Sequence, residues 1–265
     1  MPRKIALIGY GAIAQAVCAA LKPEDDVAIH QVLVRPDARA ATQARLPLGI
    51  ASISSLDAVT ADTDLVLECA GHGAVRQFGS DCLTRGIDFG IVSVGALADS
   101  KTQDALTKVA RNAGRKLIIV PGAIGGIDAL AAASQVLDDV RYTACKPPMS
   151  WTGSPAEKTH ALDRIDQPTV LFEGTARAAA LSFPKNANVV ATVALAGIGF
   201  EDTQVTLMAD PAATGNSHHV QASGALCAFD YKNQGKALAA NPKTSALTAL
   251  SVLRSLKHRG SGLCI

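Results

Sequence analysis

Short apolar runs alternate with longer amphipathic stretches over the first 120 residues. The apolar runs are continuous, which is typical of strands that are buried on both faces. The stretches between them have helical spacing of apolar residues, at Ile13–Leu21, Ala74–Arg85 and Lys101–Ala113. We predict strands at Lys4–Gly9, Val27–Val34, Asp64–Glu68, Phe89–Val94 and Lys116–Val120. Strands that alternate with helices in this way predict an α/β domain with a parallel sheet.

The pattern changes after about Val120. Segments rich in β-forming residues, separated by turn residues, predict a smaller α+β domain. Its predicted strands are Val140–Cys145, Thr169–Glu173 and Gln204–Ala209, and its predicted helices are Ile127–Ser134 and Asn186–Ala196. A last helix is predicted at Thr244–His258. We therefore expect a first domain over 1–120, joined by the C-terminal segment 241–265, and a second domain over 121–240.

Composition and charge exclude several classes of protein. Hydrophobic residues make up 48% of the 265 residues and charged residues 18%, which excludes a disordered chain. The formal net charge is +2, so charge favours neither nucleic acid nor an anionic membrane as a partner. No apolar run approaches the ~20 residues of a membrane span. The six cysteines form no CxxC pair, which predicts reduced, mostly buried thiols in a cytoplasmic protein and no metal site.

A glycine-rich motif follows the first predicted strand and opens the first predicted helix. Its G-x-G-x-x-A spacing, from Gly9 to Ala14, matches the dinucleotide fingerprint. Gly9 permits a tight turn, and Gly11 lets a pyrophosphate approach the backbone. The start of the helix, at Ala12 and Ile13, supplies free N–H groups and a positive dipole end. The motif predicts an N-terminal Rossmann domain that binds NAD or NADP through these residues, although an ordinary glycine-rich turn is the alternative.

Two further positions bear on this cofactor site. Arg35 lies about 20 residues after the glycines, where an NAD-specific site usually carries Asp or Glu. A guanidinium there can face a 2′-phosphate or stack on adenine, which favours NADP or tolerance of both cofactors. A solvated surface arginine is the alternative. Ala70, within Cys69–His72, follows a later strand, and small residues at that end of a parallel sheet fit either a ligand crevice or a close-packed turn.

Polar residues in the second half are candidates for contacts to the substrate and the nicotinamide. The turn around Ala123 offers backbone amides, or forms an interdomain hinge. Asn186 and Asn188 lie at the start of a predicted helix, where one can pair with the cofactor carboxamide. Helix capping is the alternative for one of them. Lys185, Asn186 and Asn216 are candidates for contacts to the substrate.

Two adjacent histidines are candidates for proton transfer. A nicotinamide dehydrogenase needs a group that moves a proton while hydride moves, and imidazole does this well near neutral pH. His218 and His219 point to opposite faces if the strand alternates, so only one of them can face the site.

Taken together, these motifs resemble those of the L-aspartate dehydrogenase family. The matching stretches run in order over nearly the whole chain, and the specific ones are Phe183–Val189 and Gly215–His218. The resemblance implies oxidative deamination of L-aspartate with NAD(P), giving iminoaspartate and then oxaloacetate and ammonia. It also implies that the product can feed de novo NAD biosynthesis. It makes His218 the catalytic histidine and assigns the Ala123 backbone and the Asn188 side chain to the cofactor. We also expect a homodimer.

Two other functions are compatible with the motifs. A dihydrodipicolinate reductase-like enzyme has similar size and architecture, but that family pairs its histidines with a later Lys that this sequence lacks. A non-enzymatic NAD(H) sensor would share the first domain. The polar residues of the second domain argue against a sensor, since a sensor needs no acid/base histidine.

Overall fold

The computed structural model describes residues 2–238 and 241–258, without the side chains of Pro242, Lys243 and His258. The chain forms two compact units. Of the described residues, the first unit contains 2–96, 100–120 and 248–258. The second unit contains 97–99, 121–238 and 241–247.

A six-stranded parallel sheet forms the centre of the first unit, as the apolar runs predict. Its strands are β1 (Arg3–Ile8), β2 (Val27–Leu33), β3 (Ala51–Ile53), β4 (Leu65–Glu68), β5 (Asp88–Ile91) and β6 (Leu117–Ile119). Its helices are α1 (Ala12–Ala20), α2 (Arg39–Gln43), α3 (His72–Thr84) and α4 (Ser100–Asn112), and it includes most of α8 (Ala246–His258). The spatial order β3-β2-β1-β4-β5-β6 reverses at β1. Dinucleotides bind at such a reversal in doubly wound sheets.

Burial explains why these segments form the sheet. The last four residues of β1 and all four of β4 are buried, because helices cover a parallel sheet on both faces. The helix α8 is held in this unit partly by an ion pair between Lys257 and Asp25, with Nζ 2.7 Å from the carboxylate.

A five-stranded mixed sheet forms the second unit, in the order β11-β10-β7-β9-β8. Only the pair β7–β9 is parallel. The strands are β7 (Leu137–Lys146), β8 (Thr169–Thr175), β9 (Gln204–Ala209), β10 (Asn216–Gly224) and β11 (Ala228–Gly235), with a separate small pair β12 (Ala237–Leu238) and β13 (Asn241–Ser245). The helices of this unit are α5 (Ile127–Ala133), α6 (Ala176–Ser182) and α7 (Ala187–Ala196).

The two faces of this sheet differ in burial. One face, called the buried face below, includes Tyr142, Ala144, Leu207 and Val220, each at most 2% exposed. The opposite face, called the open face, includes the partly exposed residues Thr143, Cys145, Met208 and His219. Alternation along each strand therefore sorts the residues of this unit into a core layer and an accessible layer.

Several predicted boundaries are wrong. The strand predicted at Phe89–Val94 ends at Ile91, and Val94–Ala98 forms a 3-10 turn. The helix predicted from Thr244 begins at Ala246, because Asn241–Ser245 pairs with β12. The short elements α2, β3 and α6 and the polar strand β11 are absent from the predictions.

The prediction of mostly buried thiols is also wrong. The five cysteines in the described part of the chain are free, but only Cys82 is buried. Cys18, Cys69, Cys145 and Cys227 are partly exposed, and Cys264 lies outside the described residues. Over residues 2–238 and 241–258, no helix has the length and apolarity to cross a membrane. In the same residues, no three His, Cys, Asp or Glu side chains are grouped to hold a metal ion.

Candidate active site

The glycine-rich turn of the first unit leaves backbone amides available at the start of α1. Gly9 has a φ of +87°, and a Cβ there would lie 2.8 Å from the Ala70 Cβ, so the position requires glycine. Gly11 is the N-cap residue of α1 and has no side chain to accept hydrogen bonds from the first turn. Ala12 and Ile13 begin the helix and are partly exposed. This donor set fits the pyrophosphate of a dinucleotide.

A cleft of about 830 Å³ adjoins this turn. Gly9, Arg35 and Ala70 line it, which brings together three of the residues that the sequence singled out. Its volume lies in the range of about 300–1,000 Å³ that is usual for ligand sites. The Arg35 side chain is 84% exposed, and its Nε lies 3.7 Å from the Asp37 carboxylate. The guanidinium is therefore accessible to a ligand in the cleft.

Glu68 is a functional candidate that the sequence analysis missed. It is fully buried at the end of β4. Its Oε1 accepts hydrogen bonds from the amides of Ala70 and Gly71, both at 2.6 Å, and from Ser93 Oγ at 2.9 Å. Its Oε2 accepts from the Ser93 amide at 3.0 Å. The carboxylate thus joins the loops after β4 and β5, which include the cleft residue Ala70. In the sequence, Glu68 could have been noticed as a single acidic residue at the end of an otherwise apolar strand.

His218 lies on the buried face of the second unit and is 6% exposed. It pairs with Ala144 in the β10–β7 register, and Tyr142 is its diagonal neighbour on the same face. Tyr142 Oη lies 2.7 Å from His218 Nδ1, and the two rings are stacked at 6.0 Å. Burial, with a smaller contribution from the charge of Lys146, lowers the pKa of His218 to about 4. The imidazole is therefore neutral at physiological pH.

His219 lies on the opposite face of the same strand, as the alternation predicts. Its Nε2 lies 2.8 Å from the Asp230 carboxylate, which also accepts from Gln221 Nε2 at 3.2 Å. The two histidines therefore have separate environments, and only His218 lies beside Tyr142 in the core layer.

Lys146 is a second candidate that the sequence analysis did not assign. It lies two residues beyond Ala144 on β7 and so shares the buried face with His218. Its ammonium donates to Asn186 Oδ1 and lies 5.1 Å from the centroid of the Trp151 ring. Burial lowers the pKa of Lys146 to about 8. Strand alternation counted from His218 across the sheet could have found it, but the pairing register is not visible in the sequence.

The Asn186 side chain does not make the capping contact that was one of its two interpretations. Asn186 is the N-cap residue of α7, yet its side chain makes no capping hydrogen bond. Its oxygen accepts from Lys146 instead. The segment before it is held by aromatic packing, because Phe183 meets both Trp151 and Phe172 edge to face. Trp151 is itself buried, and its indole N–H donates to the Met208 carbonyl at 3.1 Å.

Asn233 connects the histidine strand to the turn around Ala123. It stands opposite His218 in the β10–β11 register. Its Nδ2 donates to the Ala123 carbonyl at 3.0 Å, and this fixes the orientation of the amide. Its Oδ1 is buried and has no hydrogen-bond partner in the structure. A buried acceptor next to His218 and Ala123 fits an N–H donor such as that of a carboxamide.

The remaining predicted residues also lie in the second unit. Asn216 shares the buried face with His218 and lines a pocket of about 530 Å³. The polar residues of that pocket are Ser150, Thr214, Asn216, Gln234, Lys236, Thr244 and Ser245. Asn188 is exposed near the start of α7. Lys185 is exposed, and its Nζ lies 3.4 Å from the Gly153 carbonyl.

Comparison with known proteins matches both halves of the chain. Residues 128–259 match the C-terminal domain of aspartate dehydrogenase, and residues 9–120 match the NAD-binding domain of homoserine dehydrogenase. The L-aspartate dehydrogenase of Polaromonas sp. is 46% identical over 265 residues, covering 99% of each chain. The L-aspartate dehydrogenase of Pseudomonas aeruginosa is 43% identical, covering 98% of this chain and 99% of that one. The chain belongs to the L-aspartate dehydrogenase family.

Solved structures agree with membership of the L-aspartate dehydrogenase family. The aspartate dehydrogenase of Thermotoga maritima superposes with a TM-score of 0.79 at 26% identity and covers both chains completely. A dihydrodipicolinate reductase from Paenisporosarcina sp. superposes with a TM-score of only 0.55 at 15% identity, over 97% of this chain and 94% of that one. The second likeness shows the fold alone. The resemblance inferred from the motifs is therefore confirmed.

Proposed function

We propose that this chain catalyses the NAD(P)-dependent oxidative deamination of L-aspartate. The products are iminoaspartate, which hydrolyses to oxaloacetate, and ammonia. The observation that carries the proposal is the buried His218, held by Tyr142, in a chain that is 46% identical to an L-aspartate dehydrogenase over 99% of its length. The reaction class is that of an oxidoreductase acting on a CH–NH₂ group.

The first unit supplies the cofactor residues in this proposal. Gly9, Gly11, Ala12 and Ile13 offer backbone donors to the pyrophosphate, and Arg35 and Ala70 line the adjoining cleft. When bound, the nicotinamide accepts a hydride from the substrate. In the second unit, Ala123 and Asn188 are the proposed nicotinamide contacts. Asn233 Nδ2 donates to the Ala123 carbonyl and leaves the buried Oδ1 of the same amide unpaired, which supports an amide-binding role for this turn.

The second unit supplies the substrate residues. L-aspartate carries two carboxylates and one ammonium, so its site needs fixed donors and cations. Asn216 lines a pocket rich in hydroxyls and amides together with Lys236, which fits a carboxylate. Lys185 and Asn186 flank the start of α7 and are the other proposed contacts. His218 is the proposed catalytic imidazole, and its burial keeps it neutral.

The reductase and sensor alternatives are less well supported. The likeness to dihydrodipicolinate reductase is limited to the fold, at 15% identity. A sensor would not need the buried His218 and Lys146, whose pKa values are both lowered.

Assembly, compartment and pathway belong to the same proposal. A homodimer is supported by the open face, where Val170 is 43% exposed beside the partly exposed Cys145 and Met208. A cytoplasmic location is supported by the free thiols of the described cysteines. Iminoaspartate as a product would supply de novo NAD biosynthesis.

The direct test is reduction of NAD and of NADP with L-aspartate as the substrate. D-aspartate, L-glutamate and L-malate are the controls, and absorbance of the reduced nicotinamide is the readout. We expect turnover with L-aspartate alone. If none of the four is oxidised although NADH or NADPH binds, the proposed activity is wrong and the reductase or the sensor takes its place.

Sedimentation of the purified protein tests the homodimer, and a monomer at micromolar concentration would contradict it.

A further inference from the structure

Oxidative deamination requires an acceptor for a substrate proton before hydride can leave. The α-amino group of aspartate is protonated near neutral pH, and its nitrogen needs a free lone pair to form the C=N bond. His218 is the obvious acceptor, but its contacts argue against that role. Another group of the second unit must then take the proton.

The hydrogen bond from Tyr142 determines which nitrogen of His218 carries the proton. Burial raises the pKa of Tyr142, so its hydroxyl stays protonated. A buried hydroxyl proton needs an acceptor, and His218 Nδ1 lies 2.7 Å away. If Tyr142 donates to Nδ1, the single proton of the neutral imidazole is on Nε2. His218 is then a hydrogen-bond donor at Nε2, with no lone pair there to accept a proton.

Lys146 has the position and surroundings that a proton acceptor requires. It shares the buried face with His218, and Asn216 extends that face at the end of the neighbouring strand. The Asn186 amide oxygen accepts from its nitrogen, and the Trp151 ring covers it. Within the described residues, no Asp or Glu forms an ion pair with it. The other titratable groups of the surrounding segments are, on β7, Asp138, Asp139, Arg141, Tyr142 and Cys145, on β10, His218 and His219, and, in the flanking turns, Lys185 and Asp210.

We infer that Lys146 is the general base that accepts the α-ammonium proton of the amino acid, while the neutral His218 acts as a fixed Nε2–H donor. The inference rests on the proposed function. The proton passes from the substrate nitrogen to the neutral Lys146 Nζ. The nitrogen lone pair then forms the C=N bond as hydride leaves Cα for the nicotinamide. Water then adds to that carbon and loses one proton to solvent. The Lys146 ammonium returns a proton to the nitrogen, the C–N bond electrons leave with ammonia as the C=O bond forms, and the remaining hydroxyl proton also goes to solvent.

Burial lowers the pKa values of both groups but leaves them well separated, which supports this division of roles. Burial lowers the pKa of Lys146 to about 8, so a useful fraction of the amine is neutral near physiological pH. The pKa of His218 falls to about 4, and the imidazole keeps one form over the working range. Neighbouring groups with separated pKa values are typical of acid/base pairs in active sites.

The kinetic test compares Lys146→Met, Lys146→Arg and the exposed control Lys158→Met. We expect kcat with L-aspartate to fall by about 100-fold or more in Lys146→Met, since general base catalysis contributes 10²–10⁴-fold. Lys146→Arg should fail as well, because a guanidinium cannot give up its proton. In the wild type, kcat/KM should rise with pH up to about 8, as Lys146 loses its proton. This rise should be absent in both Lys146 variants. Lys158→Met should retain the wild-type pH profile. Affinity for NADH, measured by fluorescence, should be unchanged in all three.

Chemical rescue separates proton transfer from a structural role. In Lys146→Ala, added methylamine or ethylamine should restore part of the rate, and the stronger base should restore more. In the protein without substrate, NMR titration of ¹³C-dimethylated lysines should show one resonance with a lowered pKa that is missing from Lys146→Met. Two results would overturn the inference: a kcat near wild type in Lys146→Met, or a raised KM with the pH rise intact, which would make Lys146 a carboxylate anchor.

Failure of the inference is distinguishable from failure of the proposed function. If the wild-type protein does not oxidise L-aspartate, the proposed function is wrong, whatever Lys146 does. If the wild type turns over and the Lys146 variants turn over equally well, only the assignment of the base is wrong.

Discussion

Arg35 is the single side chain placed to distinguish the two nicotinamide cofactors. It lines the cleft of the first unit, its side chain is 84% exposed, and its Nε lies 3.7 Å from the Asp37 carboxylate. If it faces the 2′-phosphate, Arg35→Ala should raise KM for NADP by about tenfold, which corresponds to 1.4 kcal/mol of lost binding. KM for NAD should change little. The measurement is the ratio of kcat/KM for the two cofactors, and an equal change for both would show that Arg35 is only a surface residue.

Substitution of His218 should lower kcat and leave cofactor affinity unchanged. We expect His218→Ala to lose about 100-fold or more in kcat, because a positioned acid, base or donor contributes about that much. The matched control is His219→Ala, since His219 lies on the opposite face with Asp230. Steady-state kinetics and NADH fluorescence are the measurements. A full rate in His218→Ala together with a loss in His219→Ala would reverse the assignment of the two histidines.

At the scale of elements, packing of α3 against its neighbours depends on one glycine. A Cβ at Gly79 would lie 2.7 Å from Leu106 of α4 and 3.0 Å from Phe89 of β5, whereas a Cβ at Gly73 of the same helix meets nothing within 4 Å. Gly73→Ala should therefore raise the free energy of unfolding by about 0.5–1 kcal/mol through chain entropy. Gly79→Ala should lower it by about 1–3 kcal/mol through overpacking.

Urea unfolding of the two variants without cofactor measures this difference directly. Both substitutions remove a glycine from the same helix, so both gain helix propensity, and the difference in sign reports on the contact with α4 and β5. Equal effects of the two variants would show that α3 can shift to accept a methyl group.

At the scale of the whole molecule, the partly buried Lys146 should reduce stability. Its pKa falls from 10.5 to about 8 on folding, so below pH 8 the folded state carries a poorly solvated ammonium. The unfolded chain holds more protons than the folded one between pH 8 and 10.5, and stability therefore rises with pH over that range. The full penalty, present below pH 8, is up to about 3 kcal/mol at 1.36 kcal/mol per pKa unit.

Lys146→Met should for this reason be more stable than the wild type at pH 7, by about 1–3 kcal/mol. The gain should shrink as the pH rises towards 10.5, where the lysine is neutral in both states. Urea unfolding at pH 7 and pH 10 measures this, and Lys158→Met should stay within about 0.5 kcal/mol of wild type at both. A variant that is less stable at pH 7 would show that the fold stabilises the ammonium.

Local pattern was enough to predict the parallel sheet and the dinucleotide motif. Continuous apolar runs mark strands that helices cover on both faces, so β1, β2, β4 and β6 are visible in the residues themselves. Gly9 is visible as well, because a positive φ and a close backbone approach leave no other choice. Short or polar elements such as β3, α2 and β11 were missed, since their apolar residues are too few to show a period.

The sequence by itself determined the fold class, the family and the alternation that separates His218 from His219. All of these depend on short-range rules: period, turn chemistry and motif spacing. Only the tertiary structure decided that Tyr142, Lys146 and Asn233 surround His218, and that Asn186 binds Lys146 rather than capping α7. Strand register and burial place these residues together, and both arise from contacts between segments far apart in the chain. Their pKa values follow from that burial and could not be inferred before it.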